Sequence, residues 1–171
     1  VKLCMLNGAH SALAYLGYLA GHETIASVMA DPPFASYVQQ LWSSEIIPTL
    51  QAPAGLDLQA YANQLSSRFS NTAIHHRTWQ IAMDGSQKIP QRLLASVRAR
   101  LSSGASIELL CTAITGWMRY VEGTDEAGRK IDVQDPFYDV LQSTLRGAGR
   151  ESRAKVRALL SLEQVFGSDL Q

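Results

Sequence analysis

From Lys2 to Asp31 the chain reads KLCMLNGAHSALAYLGYLAGHETIASVMAD, and this stretch constrains the fold more than any other. Leu3, Leu6, Leu13, Tyr15, Leu16 and Leu19 recur at helical spacing. Gly8, Ala12, Ala14, Gly17, Ala20 and Gly21 are small, which lets neighbouring helices come close. The pattern predicts a central, buried helix over 2–20, stopped by Gly21 as a C′ cap. Its N-terminal end carries three polar residues, Lys2, Asn7 and His10. At about 100° per residue they fall at roughly 0°, 140° and 80°, within one sector of the helix.

Helical periodicity continues through the chain. A short helix over 23–29 is stopped by Asp31-Pro32-Pro33. Pro33 can open the next, 34–50, which Pro48 should end or kink. Asp57 suits the N-cap or first turn of a helix running to Phe69. Further helices fit 73–83, 91–101, 106–121, 137–145 and 151–166, with a long polar loop over 123–136. No run of β-branched residues alternates with a period of two. These features predict one all-α domain of about eight or nine helices over residues 1–171. Gly147-Ala148-Gly149 follows a helix, not a strand, and reads as a connector.

Fifteen basic residues balance fifteen acidic ones, which argues against nucleic acid or an anionic membrane as partner. No run approaches the roughly 20 apolar residues of a membrane span. Cys4 and Cys111 are the only cysteines and sit in apolar helical patterns, as two buried, reduced thiols of a cytoplasmic protein would. No HxxxH or HExxH spacing is present, and no metal site is expected. The chain begins at Val1, inside the polar cluster and without a signal-like pattern. It reads as the C-terminal piece of something larger.

Two groups of residues are suited to chemistry. Lys2 at a helix N-terminus stands against the dipole, which lowers a lysine's pKa and lets it exchange protons near neutrality. Asn7 offers an amide N–H to a developing oxyanion. His10 can bond a substrate hydroxyl or hold the lysine. Such a set suits alcohol–carbonyl interconversion. Spacing alone equally allows a frayed Lys2, a capping Asn7 and a core His10. The second group is Lys88 in Asp84-Gly85-Ser86-Gln87-Lys88-Ile89-Pro90, a cation at a helix start, flanked by Arg77, Gln80 and Arg92. It fits an anionic or polyhydroxy ligand or, equally, a polar surface turn. Arg92, Arg98 and Arg100 together read as a solvated basic face.

The residues themselves resemble a known family. Lys2-x4-Asn7-x2-His10 within KLCMLNGAHSALAYLGYLAG is similar to the catalytic segment of the mannitol dehydrogenase family, the polyol-specific long-chain dehydrogenases. RFSNTAIHHRTWQIAMDGSQKIPQRLL (68–94) and GTDEAGRKIDVQDP (123–136) resemble two further family segments. The resemblance implies a C-terminal helical domain with a 6-phosphogluconate dehydrogenase C-terminal-domain-like fold. It implies a Rossmann-type NAD(P) domain that this chain lacks, and an active site in the cleft between the two. The residue matching Lys2 is then the general acid/base, with no zinc. Asn7 and His10 polarise the reacting oxygen, and Lys88 contacts substrate. Cofactor contacts and the choice of NAD over NADP belong mostly to the missing domain, so the isolated domain should be inactive.

Mannitol dehydrogenases carry an arginine at the position of Gln80, which turns the expectation towards the hexuronate branch, D-mannonate/D-fructuronate oxidoreductases. Apart from the resemblance, the charge of Arg77 or Arg92 suits a bidentate pair with the carboxylate of such a substrate. A neutral polyol dehydrogenase such as mannitol 2-dehydrogenase is one alternative. A non-catalytic helical interaction module is another.

Overall fold

The computed structural model describes residues 1–170. The predicted first helix is present but wound in two ways. Leu3–Gly8 forms a π-helical turn that continues as α1, Ala9–Leu19. Ala9, Ala12, Leu13, Ala14 and Tyr15 are fully buried. The helix packs most extensively against α8 (Glu108–Tyr120) and α5 (Thr78–Ala82). It ends as its residues dictate. Gly21 takes φ +89°, the His22 N–H donates to Gly17 O at 2.8 Å, and the Gly21 N–H donates to Tyr18 O at 2.9 Å. That is the paired cap made possible by a left-handed glycine.

α2 (Ile25–Ala30) starts with a capping box in which Thr24 and Ser27 exchange side-chain and backbone bonds. α3 (Pro32–Gln40) opens one residue earlier than expected, with both prolines in its first turn, where missing N–H groups cost nothing. Approaching Pro48 it loosens into a π turn, Leu41–Ile46, and ends in a 3₁₀ turn, Ile47–Thr49. The π turn carries Trp42, whose fully buried indole donates to the Met5 carbonyl at 2.9 Å. It also carries Glu45, 3% exposed, whose carboxylate accepts the Leu109 and Leu110 N–H groups at 3.0 and 2.8 Å. An anion is thereby placed on the N-terminus of α8, a buried charge paid for by unsatisfied helix donors. α4 (Leu58–Phe69) is capped by Asp57, as the sequence predicts, through bonds from the Gln59 and Ala60 N–H groups.

Three expectations about the helices need correction. Residues 73–77 are not helical. Thr24 and Arg77 form an isolated antiparallel bridge, Ile25 N donates to His76 O, and Thr78 N donates to Glu23 O. Tertiary pairing satisfies this backbone, so only Thr78–Ala82 coils. Next, the break expected at Asp84-Gly85-Ser86 is only a turn at Met83-Asp84. α6 (Gly85–Ile89) begins at once and runs through a third π turn, Pro90–Leu94, into α7 (Ala95–Ser102). The C-terminal 151–166 helix is also split. α9 (Tyr138–Ala148) is followed by α10 (Ser152–Leu160) and α11 (Glu163–Phe166). The helical segments are therefore shorter and more numerous than predicted, and no strand occurs among the described residues. The cysteines differ too: Cys4 is half-buried and Cys111 exposed, because Cys111 lies on the outer face of α8. No helix among the described residues is long and apolar enough to cross a membrane.

Candidate active site

The π turns Leu3–Gly8 and Pro90–Leu94 meet. A Cβ on Gly8 would lie 2.8 Å from the backbone carbonyl of Arg92, so glycine alone permits the approach. This contact joins the N-terminal end of α1 to the start of α7, and it brings the two groups of polar residues together. π turns add a residue to a helical turn and are frequent at functional sites. Here the extra residue also alters the angular spacing of Lys2, Asn7 and His10 from that of a regular α-helix.

Lys2 stands at the helix N-cap position with its side chain exposed. Asn7 is half-buried, and its carbonyl accepts from Arg92 Nη1 at 3.5 Å. His10 is the most constrained of the three. Its ring stacks on Phe69 at 4.5 Å and 5° and meets His76 edge-on at 4.9 Å. Its Nε2 is buried without a hydrogen-bond partner. Burial above all, then the nearby His76, Arg92 and Arg68, pushes the His10 pKa down to about 3. The imidazole is therefore neutral at any ordinary pH and keeps one donor and one acceptor. An unpartnered buried nitrogen is costly, and its natural complement is a group that arrives with the ligand.

Lys88 approaches from the other side. Its ammonium donates to Ile81 O at 3.3 Å and lies 3.7 Å from the Asp84 carboxylate. Burial, and then repulsion from Arg92, holds its pKa below the ordinary lysine value. Its position depends on the 123–136 segment. Asp135 accepts from the Ser86 N–H at 2.8 Å and from the Ser86 and Phe137 donors. It caps α6 from a distance, where Asp84, in the left-handed region at φ 55°, makes no side-chain cap. The Asp84 N–H in turn donates to Gln134 O. The third segment singled out in the sequence thus secures the second.

Arg92 is not part of a solvated face. It is half-buried, and its Nη1 donates to Ser11 Oγ at 2.9 Å. Arg98 is committed elsewhere, to Asp169 and Phe166 O. Gln80 is exposed. Arg77 is exposed too, and lines a separate cavity of about 620 Å³ with Tyr18, His22, Trp79 and Lys130. The structure therefore gathers Asn7, His10, Lys88 and Arg92, places Lys2 at the open end of their helix, and sends Arg77 to another cavity. Sequence reasoning missed Ser11, Phe69, His76 and Asp135 as supports. His76 was read as helical, which hid its ring from His10. Among the described residues no three His, Cys, Asp or Glu side chains are grouped as a metal would need.

Comparison with known proteins places the chain in a family. The model of the mannitol dehydrogenase C-terminal domain matches residues 1–171. D-mannonate oxidoreductase of Escherichia coli is 50% identical over 99% of this chain. Mannitol 2-dehydrogenase of Aspergillus fumigatus is 36% identical over the same share. Mannitol 2-dehydrogenase of Pseudomonas fluorescens, solved as a ternary complex with NAD and D-mannitol, superposes with a TM-score of 0.91 at 30% identity over 98% of this chain. The fold is that of a mannitol dehydrogenase C-terminal domain. The chain belongs to the mannitol dehydrogenase family. It spans 35% of the length of D-mannonate oxidoreductase and 33% of that of the P. fluorescens enzyme.

Proposed function

We propose that this chain is the substrate-side, C-terminal domain of a cytoplasmic NAD-dependent dehydrogenase. The enzyme interconverts a sugar acid and its keto form, with D-mannonate and D-fructuronate favoured over neutral polyols. A Rossmann-type domain outside this chain would hold the cofactor. The observation that carries the reading is the unpartnered, buried Nε2 of a neutral His10 near Arg92, which is itself bonded to the Asn7 carbonyl and repels Lys88. Half identity to D-mannonate oxidoreductase supports the sugar-acid branch, as does Gln80 in place of an arginine.

In this reading Lys2 takes the proton of the substrate hydroxyl during oxidation and returns it during reduction, without zinc. The Asn7 amide and the neutral His10 bind the reacting oxygen as it gains or loses charge. Their donors are fixed before the substrate arrives, one by the π turn and the other by its stack on Phe69. Lys88 and Gln80 contact the hydroxyl groups of the sugar chain. NAD, when bound, supplies the hydride acceptor. The fit of this chain to that cofactor is limited to the open end at Lys2 and the half-exposed Leu3, since the described residues include no strand to carry a Gly-rich phosphate turn. Lys2→Ala in the full-length enzyme should lower turnover by about three orders of magnitude or more, with NAD affinity nearly unchanged. Near-normal turnover of sugar acids by that variant would sink the mechanism.

A further inference from the structure

Arg92 is anchored on one edge and open on the other. Nη1 donates to Ser11 Oγ at 2.9 Å and to Asn7 O at 3.5 Å. Ser11 is fully buried on the first turn of α1, so the anchor is rigid. A guanidinium has five N–H donors, and these two contacts use only those on Nη1. Nε and Nη2 have no hydrogen-bond partner among the described residues, yet neither is sealed from solvent. No carboxylate forms an ion pair with Arg92 among the described residues. Every other half-buried charge near it is compensated or lowered: Lys88 has Asp84, and His10 is neutral. Burial pushes the Arg92 pKa down as well, but an arginine stays protonated at any working pH. The result is a fixed cation, partly withdrawn from water, presenting a planar two-donor edge beside Asn7. A desolvated charge without a partner is costly unless an opposite charge arrives with the ligand.

We propose that Arg92 is the specificity residue of the site. Its Nε and Nη2 edge takes the carboxylate of a sugar acid as a bidentate pair, and Ser11 is the positioning residue that aims it. This deepens the dehydrogenase reading and rests on it for the reaction, but not for the carboxylate site. Arg77 cannot fill the same role from the separate cavity it lines.

The test uses the full-length protein and two probes that differ at the acid group, D-mannonate and D-mannitol. Both turnover and equilibrium binding by calorimetry are measured. Arg92→Leu should lower the ratio of kcat/KM for the acid to that for the polyol by about 100-fold, and calorimetric affinity for D-mannonate should fall in step. Arg92→Lys keeps the charge but not the fork, and should fall between. It also serves where the leucine variant does not fold. Ser11→Ala should lower the same ratio several-fold, whereas a merely structural serine would lower both substrates equally. Parallel loss of both substrates in the Arg92 variants would overturn the proposal. So would a selective loss in Arg77→Ala instead, or wild-type protein that binds D-mannonate no better than D-mannitol. A wild-type protein that binds D-mannonate through Arg92 but oxidises neither probe would leave this site standing and end the dehydrogenase reading.

Discussion

The two ends of α1 open onto polar surroundings of opposite character. At the C-terminal end lies a cavity of about 620 Å³, whose buried or paired polar groups are settled within the chain while Arg77 and Lys130 stand exposed at its rim. His22 Nε2 lies 3.3 Å from Asp31, Arg129 Nε is paired with Asp125 at 2.7 Å, Thr78 Oγ1 donates to His22 O, and the Trp79 indole donates to Asp132 O. At the N-terminal end the half-buried groups are unsettled. His10 has a buried nitrogen without a partner, Arg92 has no carboxylate, and Lys88 is held below its ordinary pKa. Volume marks where a ligand would fit, whereas unmet hydrogen-bonding and charge mark where the chain has been arranged for one.

The comparison is broken most directly at its glycines. Gly8→Ala would push a methyl group into the Arg92 carbonyl at 2.8 Å. Backbone cannot rotate away as a side chain can, so the two π turns must separate. We expect a loss of about 1–3 kcal/mol in unfolding free energy and at least about a 100-fold fall in kcat/KM, because small misplacements of reacting groups cost that much. Gly21→Ala, at the other end, meets nothing within 4 Å. It bears only the left-handed backbone penalty, roughly 1–2 kcal/mol. The two variants should therefore melt similarly in urea titrations yet differ widely in activity. Equal activities would show that the π-turn contact does not organise the site.

A smaller effect comes from His10. Folded, it stays neutral down to about pH 3; unfolded, it protonates near pH 6.5. Between those values the unfolded chain holds one proton more, so stability falls as pH drops through that window. The slope is as much as about 1.4 kcal/mol per pH unit. His10→Asn should remove that component from unfolding curves measured at pH 4.5, 5.5 and 7. If the variant is as acid-sensitive as the parent chain, the stack on Phe69 does not hold the imidazole neutral.

What the chain reveals before folding divides along physical lines. Helical periodicity, Gly21 and Asp57 act locally, and their elements appear as read. The 73–77 stretch has helical periodicity, but its hydrogen bonds go to residues 23–25, about fifty positions away, which no local pattern reports. The same holds for Asp135 capping Ser86 and for Glu45 capping α8. At the site, Lys2, Asn7, His10 and Lys88 were legible as motif residues. The choice between Arg77 and Arg92 was not, because sequence separation from Lys88, eleven residues against four, does not say which arginine faces the cluster. Only the contact between the π turns separates them. The run of arginines also misled, since Arg92, Arg98 and Arg100 read as one basic face while Arg92, on the π turn before α7, is anchored inside.

The smallest effect belongs to the cavity at the C-terminal end of α1. Arg129 is 73% exposed on its side chain and is paired with Asp125. The Asp125 carboxylate also accepts the Ala127 and Arg129 N–H groups at 2.9 and 2.8 Å, so the turn keeps its internal bonds when the guanidinium is removed. Exposed pairs of this kind contribute little, because water and salt already screen them. Arg129→Ala should leave kcat/KM for sugar acids within about twofold of the parent enzyme. The measurement is sharp because the variant removes a cation from that cavity while leaving the site at the other end of α1 intact. A tenfold loss specific to acidic substrates would mean that the carboxylate is read at the 620 Å³ cavity. The paired charges there would then be a resting state opened by the ligand, and the unmet groups around His10 a feature of folding rather than of binding.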